Sequence, residues 1–121
     1  MSKNGTIDFQ APVKTVSEAN QREHWAVKLK RKKQQQLEIF AALQNNLVGK
    51  KVTLPCVVRL TRIGPRALDT DNLAGAMKHV QDAIARKLGC DDGDTEKVQF
   101  EYAQMPVKIR EYGVRVTIQS L

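Results

Sequence analysis

At 121 residues, with 41% hydrophobic and 27% charged residues, the chain can bury one modest core, which excludes global disorder and fibrous folds. No run approaches the roughly 20 apolar residues of a membrane helix, and the start, Met1-Ser2-Lys3-Asn4-Gly5, lacks the apolar core of a secretory signal. A single domain over 1–121 is expected, cytoplasmic and without membrane association. The net charge of +7 is uneven: up to Arg66 there are 13 Lys and Arg against 4 Asp and Glu, and beyond it 7 against 9. One half is built to attract an anion and the other to hold cations.

Ile7, Phe9 and Ala11 alternate with polar neighbours before Pro12, predicting a short first strand. Ser17 is the expected N-cap of a long helix that runs, free of Gly and Pro, up to Gly49. Trp25, Leu29, Leu37, Phe40 and Leu43 supply its apolar stripe. Lys28 precedes the segment Lys30-Arg31-Lys32-Lys33-Gln34-Gln35-Gln36, which has no apolar residue. Such a segment either projects into solvent or lies against something polar, and for a basic one phosphate is a natural partner.

Val52, Leu54, Cys56, Val58 and Leu60 alternate as a strand, with Pro55 marking it as an edge strand or a bulged one, and Gly64-Pro65 ends it. Leu73, Met77, Val80, Ile84 and Leu88 recur at helical spacing, giving a helix over Asn72–Leu88 with Asp71 or Asn72 at its N-cap and Gly89 at its C-cap. Val98, Phe100 and Tyr102 then alternate, and Val114, Val116 and Ile118 are expected as their hairpin partner. The order β-α-β-α-β-β predicts a two-layer α+β domain, a mixed sheet with helices packed on one face. Cys56 and Cys90 have neither metal-ligand spacing nor a secretory context and read as free thiols.

Two aspartate clusters bracket the second helix: Asp69-Thr70-Asp71-Asn72, and Asp91-Asp92-Gly93-Asp94. Clustered carboxylates repel one another unless a cation compensates them, and oxygen ligands suit Mg²⁺. In extended backbone Asp69 and Asp71 project from the same face. Each cluster alone also suits a plainer role, a helix N-cap for the first and an Asp-Gly turn for the second. A calcium EF-hand is excluded, because Leu73 occupies the fifth position of a loop starting at Asp69. His24 and His79 have no zinc-type partner.

The run Leu68-Asp69-Thr70-Asp71-Asn72-Leu73, a helix carrying Lys78 and Asp82, and Leu88-Gly89-Cys90-Asp91-Asp92-Gly93-Asp94 together resemble the RusA-type Holliday-junction resolvases common in prophages. The resemblance covers roughly 59–119, and the helix around His24-Trp25 is similar to phage members. It implies a homodimeric endonuclease, dependent on Mg²⁺ with Mn²⁺ as a substitute, that cuts four-way DNA junctions in recombination and repair. It implies catalysis by Asp69, Asp71 and Asp92, with Asp91 as an adjacent metal ligand. It also implies a catalytic lysine. Many members carry it three residues after the Asn, where this chain has Gly75, and counting back from Asp82 puts Lys78 in that role.

The basic helix, with Lys28, Lys30, Arg31, Lys32 and Lys33, and the residues Arg59, Arg62 and Arg66 are expected to bind DNA phosphates. A straight helix over Asn72–Leu88 would hold its ends about 25 Å apart. Either it breaks near Gly75, or a partner subunit supplies half of each site through antiparallel helices, with Ala74, Gly75, Ala76, Ala83 and Ala85 allowing close packing. A nuclease for flaps or other branched DNA shares all these residues. So does a non-catalytic nucleic-acid-binding protein whose acids only cap helices and form turns.

Overall fold

The computed structural model describes residues 6–16, 24–50, 52–108 and 111–121. The elements are β1 (Thr6–Ala11), α1 (Trp25–Leu47), β2 (Cys56–Gly64), α2 (Thr70–Ala76), α3 (Lys78–Leu88), β3 (Val98–Pro106) and β4 (Gly113–Ser120). They form a two-layer α+β domain on a four-stranded mixed sheet of order β1-β4-β2-β3. No helix among the described residues is long and apolar enough to cross a membrane.

Strand alternation sets the sheet's buried face. Ile7, Phe9 and Ala11 of β1, Cys56, Val58 and Leu60 of β2, and Val114, Val116 and Ile118 of β4 all point into one core. The helices close that core with Ile39 and Leu43 of α1, Leu73 of α2, Met77 between α2 and α3, and Val80 and Ile84 of α3.

The expected hairpin of the last two strands does not form. β4 pairs antiparallel with both β1 and β2, whereas β3 pairs in parallel with β2 on its other side. The connection from β3 to β4 joins strands on either side of β2, and at its start the Val107 N–H donates to the Gly64 carbonyl at 2.9 Å. Only short loops hold consecutive strands as neighbours, and this one is long enough to step across one strand spacing of about 4.8 Å on each side. β2 is therefore interior rather than an edge strand. Pro55 sits just before its first residue, where the missing N–H costs the ladder nothing.

α1 begins at Trp25, with the His24 imidazole Nδ1 accepting from the Ala26 N–H at 3.1 Å. The expected N-cap, Ser17, lies outside the described residues. The expected apolar stripe is also displaced. Of its five members only Leu43 is buried; Trp25, Leu29, Leu37 and Phe40 stand exposed. The helix buries Gln35, Ile39 and Leu43, one residue per turn. The segment from Lys30 to Gln36 divides: Lys30, Lys33 and Gln34 are exposed, whereas Gln35 donates to the Lys14 carbonyl at 2.7 Å, and Gln36 donates to the His79 carbonyl at 3.2 Å and to Asp82 at 3.0 Å. The polar surface that these two glutamines meet belongs to the protein itself.

Candidate active site

Two strand side chains position the first acidic cluster. Arg62 of β2 donates from Nη1 to the Arg66 carbonyl at 2.6 Å. Gln104 of β3 takes the Leu68 N–H on Oε1 and gives Nε2 to the Leu68 carbonyl, each at 2.6 Å. The chain leaving β2 is thus pinned on both sides just before Asp69.

Asp69 caps α2. Its Oδ1 accepts the Asn72 N–H at 2.9 Å, and its Oδ2 accepts from Asn72 Nδ2 at 3.0 Å. The helix therefore starts at Thr70, ahead of the expected caps Asp71 and Asn72. Helical backbone at Thr70 and Asp71 also removes the strand-type alternation that was to put Asp69 and Asp71 on one face. Asp71 lies in the first turn, where the helix dipole favours a carboxylate, exposed and with no partner among the described residues.

The second cluster follows the left-handed C-cap Gly89, φ 82°. Asp91 Oδ1 accepts the Gly93 N–H at 3.2 Å, Asp94 Oδ1 accepts the Glu96 N–H at 3.2 Å, and the Asp94 N–H donates to the Asp91 carbonyl at 3.0 Å. This is the turn chemistry that the Asp-Gly pattern allowed. Asp92 takes no part in it. Its charge reaches the phenol of Tyr102, whose pKa is pushed up by burial first and by Asp92 second, against the lowering effect of its hydrogen bond to Gln81. Tyr102 and Gln81 were not among the expected site residues, because the alternation of Val98, Phe100 and Tyr102 accounts for Tyr102 as packing.

Of the two alternatives for the long helix, a break near Gly75 or a straight helix completed by a partner subunit, the helix does break, at Met77, two residues past Gly75, where φ −91° and ψ −3° depart from helical values. Among the described residues no three His, Cys, Asp or Glu side chains are placed to hold a metal ion. Lys78, the first residue of α3, is exposed and pairs with none of Asp69, Asp71, Asp91 or Asp92. It faces a groove shared with Trp25, Lys28, Leu29 and Lys32. Asp82 ties α3 to α1 by accepting from Gln36, and it pairs with Arg86 at 3.1 Å. Of the small residues expected to pack between subunits, Ala76, Ala83 and Ala85 are buried within their own chain, leaving Ala74 and Gly75 partly exposed.

The expected phosphate ligands divide among three settings. Lys28, Lys30, Arg31, Lys32 and Lys33 run along the outer part of α1, exposed or half-buried. Arg59 is exposed on the sheet face opposite the helices, and Arg66 is exposed in the turn after β2. Arg62 shares the inward phase of Cys56, Val58 and Leu60, and at 6% exposure it braces a turn instead of meeting a phosphate. Burial depresses its pKa, and its Nε has no hydrogen-bond partner among the described residues. Cys56 and Cys90 are free, and burial pushes both thiols up, away from thiolate reactivity.

No protein-family model matches this chain, and no curated protein matches it.

Proposed function

We propose that this chain is a metal-dependent endonuclease that cuts branched DNA, with the four-way junction as its substrate, and that it works as a homodimer. The observation that carries the reading is the division of labour within each acidic cluster. Asp69 on one side and Asp91 and Asp94 on the other are engaged in caps and turns, while Asp71 and Asp92 take part in neither. Hydrogen bonds of caps and turns thus engage three of the carboxylates and leave the oxygens of Asp71, in the first turn of α2, and of Asp92 open to a ligand.

The donor set is all carboxylate oxygen, which fits Mg²⁺ or Mn²⁺. Asp71, with Asp69 beside it, and Asp92, with Asp91 beside it, would hold the cation once a two-fold partner sets the start of one chain's α2 against the end of the other's α3. When bound, such an ion activates water and relieves charge on the phosphodiester. Asn72 fixes the Asp69 carboxylate through both oxygens, so Asp69 is oriented before any ligand arrives. Lys78 would stabilise negative charge developing on the phosphate. The lysines of α1 with Arg59 and Arg66 supply affinity for the DNA backbone that is salt-sensitive and independent of sequence.

The test is incubation with a synthetic four-way junction, a flap and a linear duplex of the same composition, with and without Mg²⁺. The junction is expected to be cut only with the metal. Asp71→Asn is expected to lose cutting while still shifting the junction in a gel. Faster cutting of the flap would move the substrate to other branched DNA. Failure of the wild type to cut any of them would leave a non-catalytic binding protein.

A further inference from the structure

We propose that the groove between α1 and the α2–α3 junction is a stacking site for an unpaired nucleobase, with Trp25 as its platform and Lys28, Lys32 and Lys78 holding the adjoining phosphates. The groove encloses about 470 Å³ and is lined by those four residues with Leu29, Gly75 and His79. Trp25 is 69% exposed and Leu29 41% exposed, so a large aromatic and an aliphatic side chain stand in water at the mouth of a concave surface. The His24 imidazole packs on the indole at 5.4 Å with the rings 35° apart, which orients the platform without covering it.

The charged residues described around this floor are of one sign. Lys28 and Lys32 lie one turn apart on α1, and Lys78 stands on the other wall at the start of α3. Among the described residues no carboxylate lines the groove, and none of these lysines forms an ion pair. Three cations around an apolar pocket repel one another until an anion joins them, so the occupant combines a flat apolar part with negative charges on either side. A nucleotide within a single strand has that chemistry, and a base stacked on tryptophan is a tolerant contact because every base presents a π-face.

An acidic amphipathic helix fits less well. Beyond Trp25 the surface continues as two further hollows, one beside Leu29, Lys30, Lys33 and Leu37 and one beside Lys33, Leu37 and Phe40. Lysines are interspersed with the apolar side chains along this row, the mixture a strand of bases and phosphates requires, whereas an amphipathic helix separates its apolar and charged residues onto opposite faces.

The inference rests on the nucleic-acid reading of the protein, and its test separates the two. Trp25 is the chain's one tryptophan, so its fluorescence reports this groove directly. The protein is titrated in EDTA with oligothymidine, with an abasic oligonucleotide of equal length, with blunt duplex and with an acidic peptide. Oligothymidine is expected to quench Trp25 and to bind about tenfold or more tighter than the abasic strand. Gly75→Phe fills the groove from a wall where an added Cβ meets nothing within 4 Å. It is expected to erase most of that preference, and Gly75→Ala is expected to keep it. Equal binding of abasic and normal strands, equal quenching by duplex, or stronger quenching by the acidic peptide would overturn the proposal. Junction cutting without quenching overturns the groove alone. Quenching without cutting leaves the groove standing and removes the nuclease.

Discussion

Arg62 and Gln104 face each other across the parallel strands β2 and β3, and both reach past the strand ends to hold the backbone that delivers Asp69. The link from strand register to the first acidic cluster runs through these two side chains. Replacing Gln104 by Leu leaves the Leu68 N–H and carbonyl without their partner. The expected cost is about 1–3 kcal/mol of stability, read by urea unfolding. The same substitution is expected to lower the cutting rate more than junction affinity, because it loosens Asp69 and touches no lysine of α1.

Gly64 lies against the same arginine. A Cβ built there would stand 3.0 Å from both Nη1 and Nη2 of Arg62, whose guanidinium is buried and tied to the Arg66 carbonyl. Gly64→Ala is expected to destabilise the protein by about 1–2 kcal/mol. Because the clash belongs to one pair, Arg62→Met should absorb much of it. A double-mutant cycle by thermal unfolding tests this, and additive effects would remove the contact from the explanation.

The two faces of α1 give opposite expectations for the same chemical change. Leu43 is buried between helix and sheet, and Leu43→Ala is expected to cost about 2–5 kcal/mol. Leu37 is 68% exposed, and Leu37→Ala is expected to stay within about 0.5 kcal/mol. Denaturant midpoints of the two variants decide which face meets the core.

Asp8 and Arg115 form a bidentate pair across β1 and β4, at 2.9 and 2.6 Å. The hydrogen bond from Arg115 holds the Asp8 carboxyl below its ordinary value. A depressed carboxyl contributes stability that is present above its unfolded pKa of about 3.9 and is lost as pH falls through the lower folded value. Asp8→Asn is therefore expected to be slightly less stable than wild type at neutral pH and equal to it in strong acid. Both partners are exposed, so the difference is small and shrinks with added salt. Thermal unfolding at several pH values checks it.

Much of the sheet is legible in the sequence because one-sided burial writes itself as alternation, as in Ile7-Phe9-Ala11 and Val114-Val116-Ile118. Strand order is not, since no period in β3 or β4 records that the chain crosses β2 between them. The displaced stripe of α1 has a similar cause. Its sequence offers two overlapping apolar lines, and the one chosen by packing runs through Gln35, whose amide finds a carbonyl 21 residues away. Within the candidate site, Asp69 and the Asp91 turn are legible as cap and turn because their hydrogen bonds are local. The contacts of Arg62, Gln104 and Tyr102 depend on register and long-range approach, which spacing alone does not carry.

The two acidic clusters flank the segment of α2 and α3, and among the described residues no three His, Cys, Asp or Glu side chains are placed to hold a metal ion. The proposed dimer shares each site between its two copies, and complementation measures that directly. Asp71→Asn and Asp92→Asn chains are co-expressed, and nicking of a four-way junction is followed with Mg²⁺. Each variant alone has both sites broken. A mixed dimer with shared sites retains one intact pair, Asp71 from one chain and Asp92 from the other, so random pairing should restore about a quarter of the wild-type sites. Mixed dimers as inactive as either parent, with wild type active beside them, would contradict a site shared between subunits.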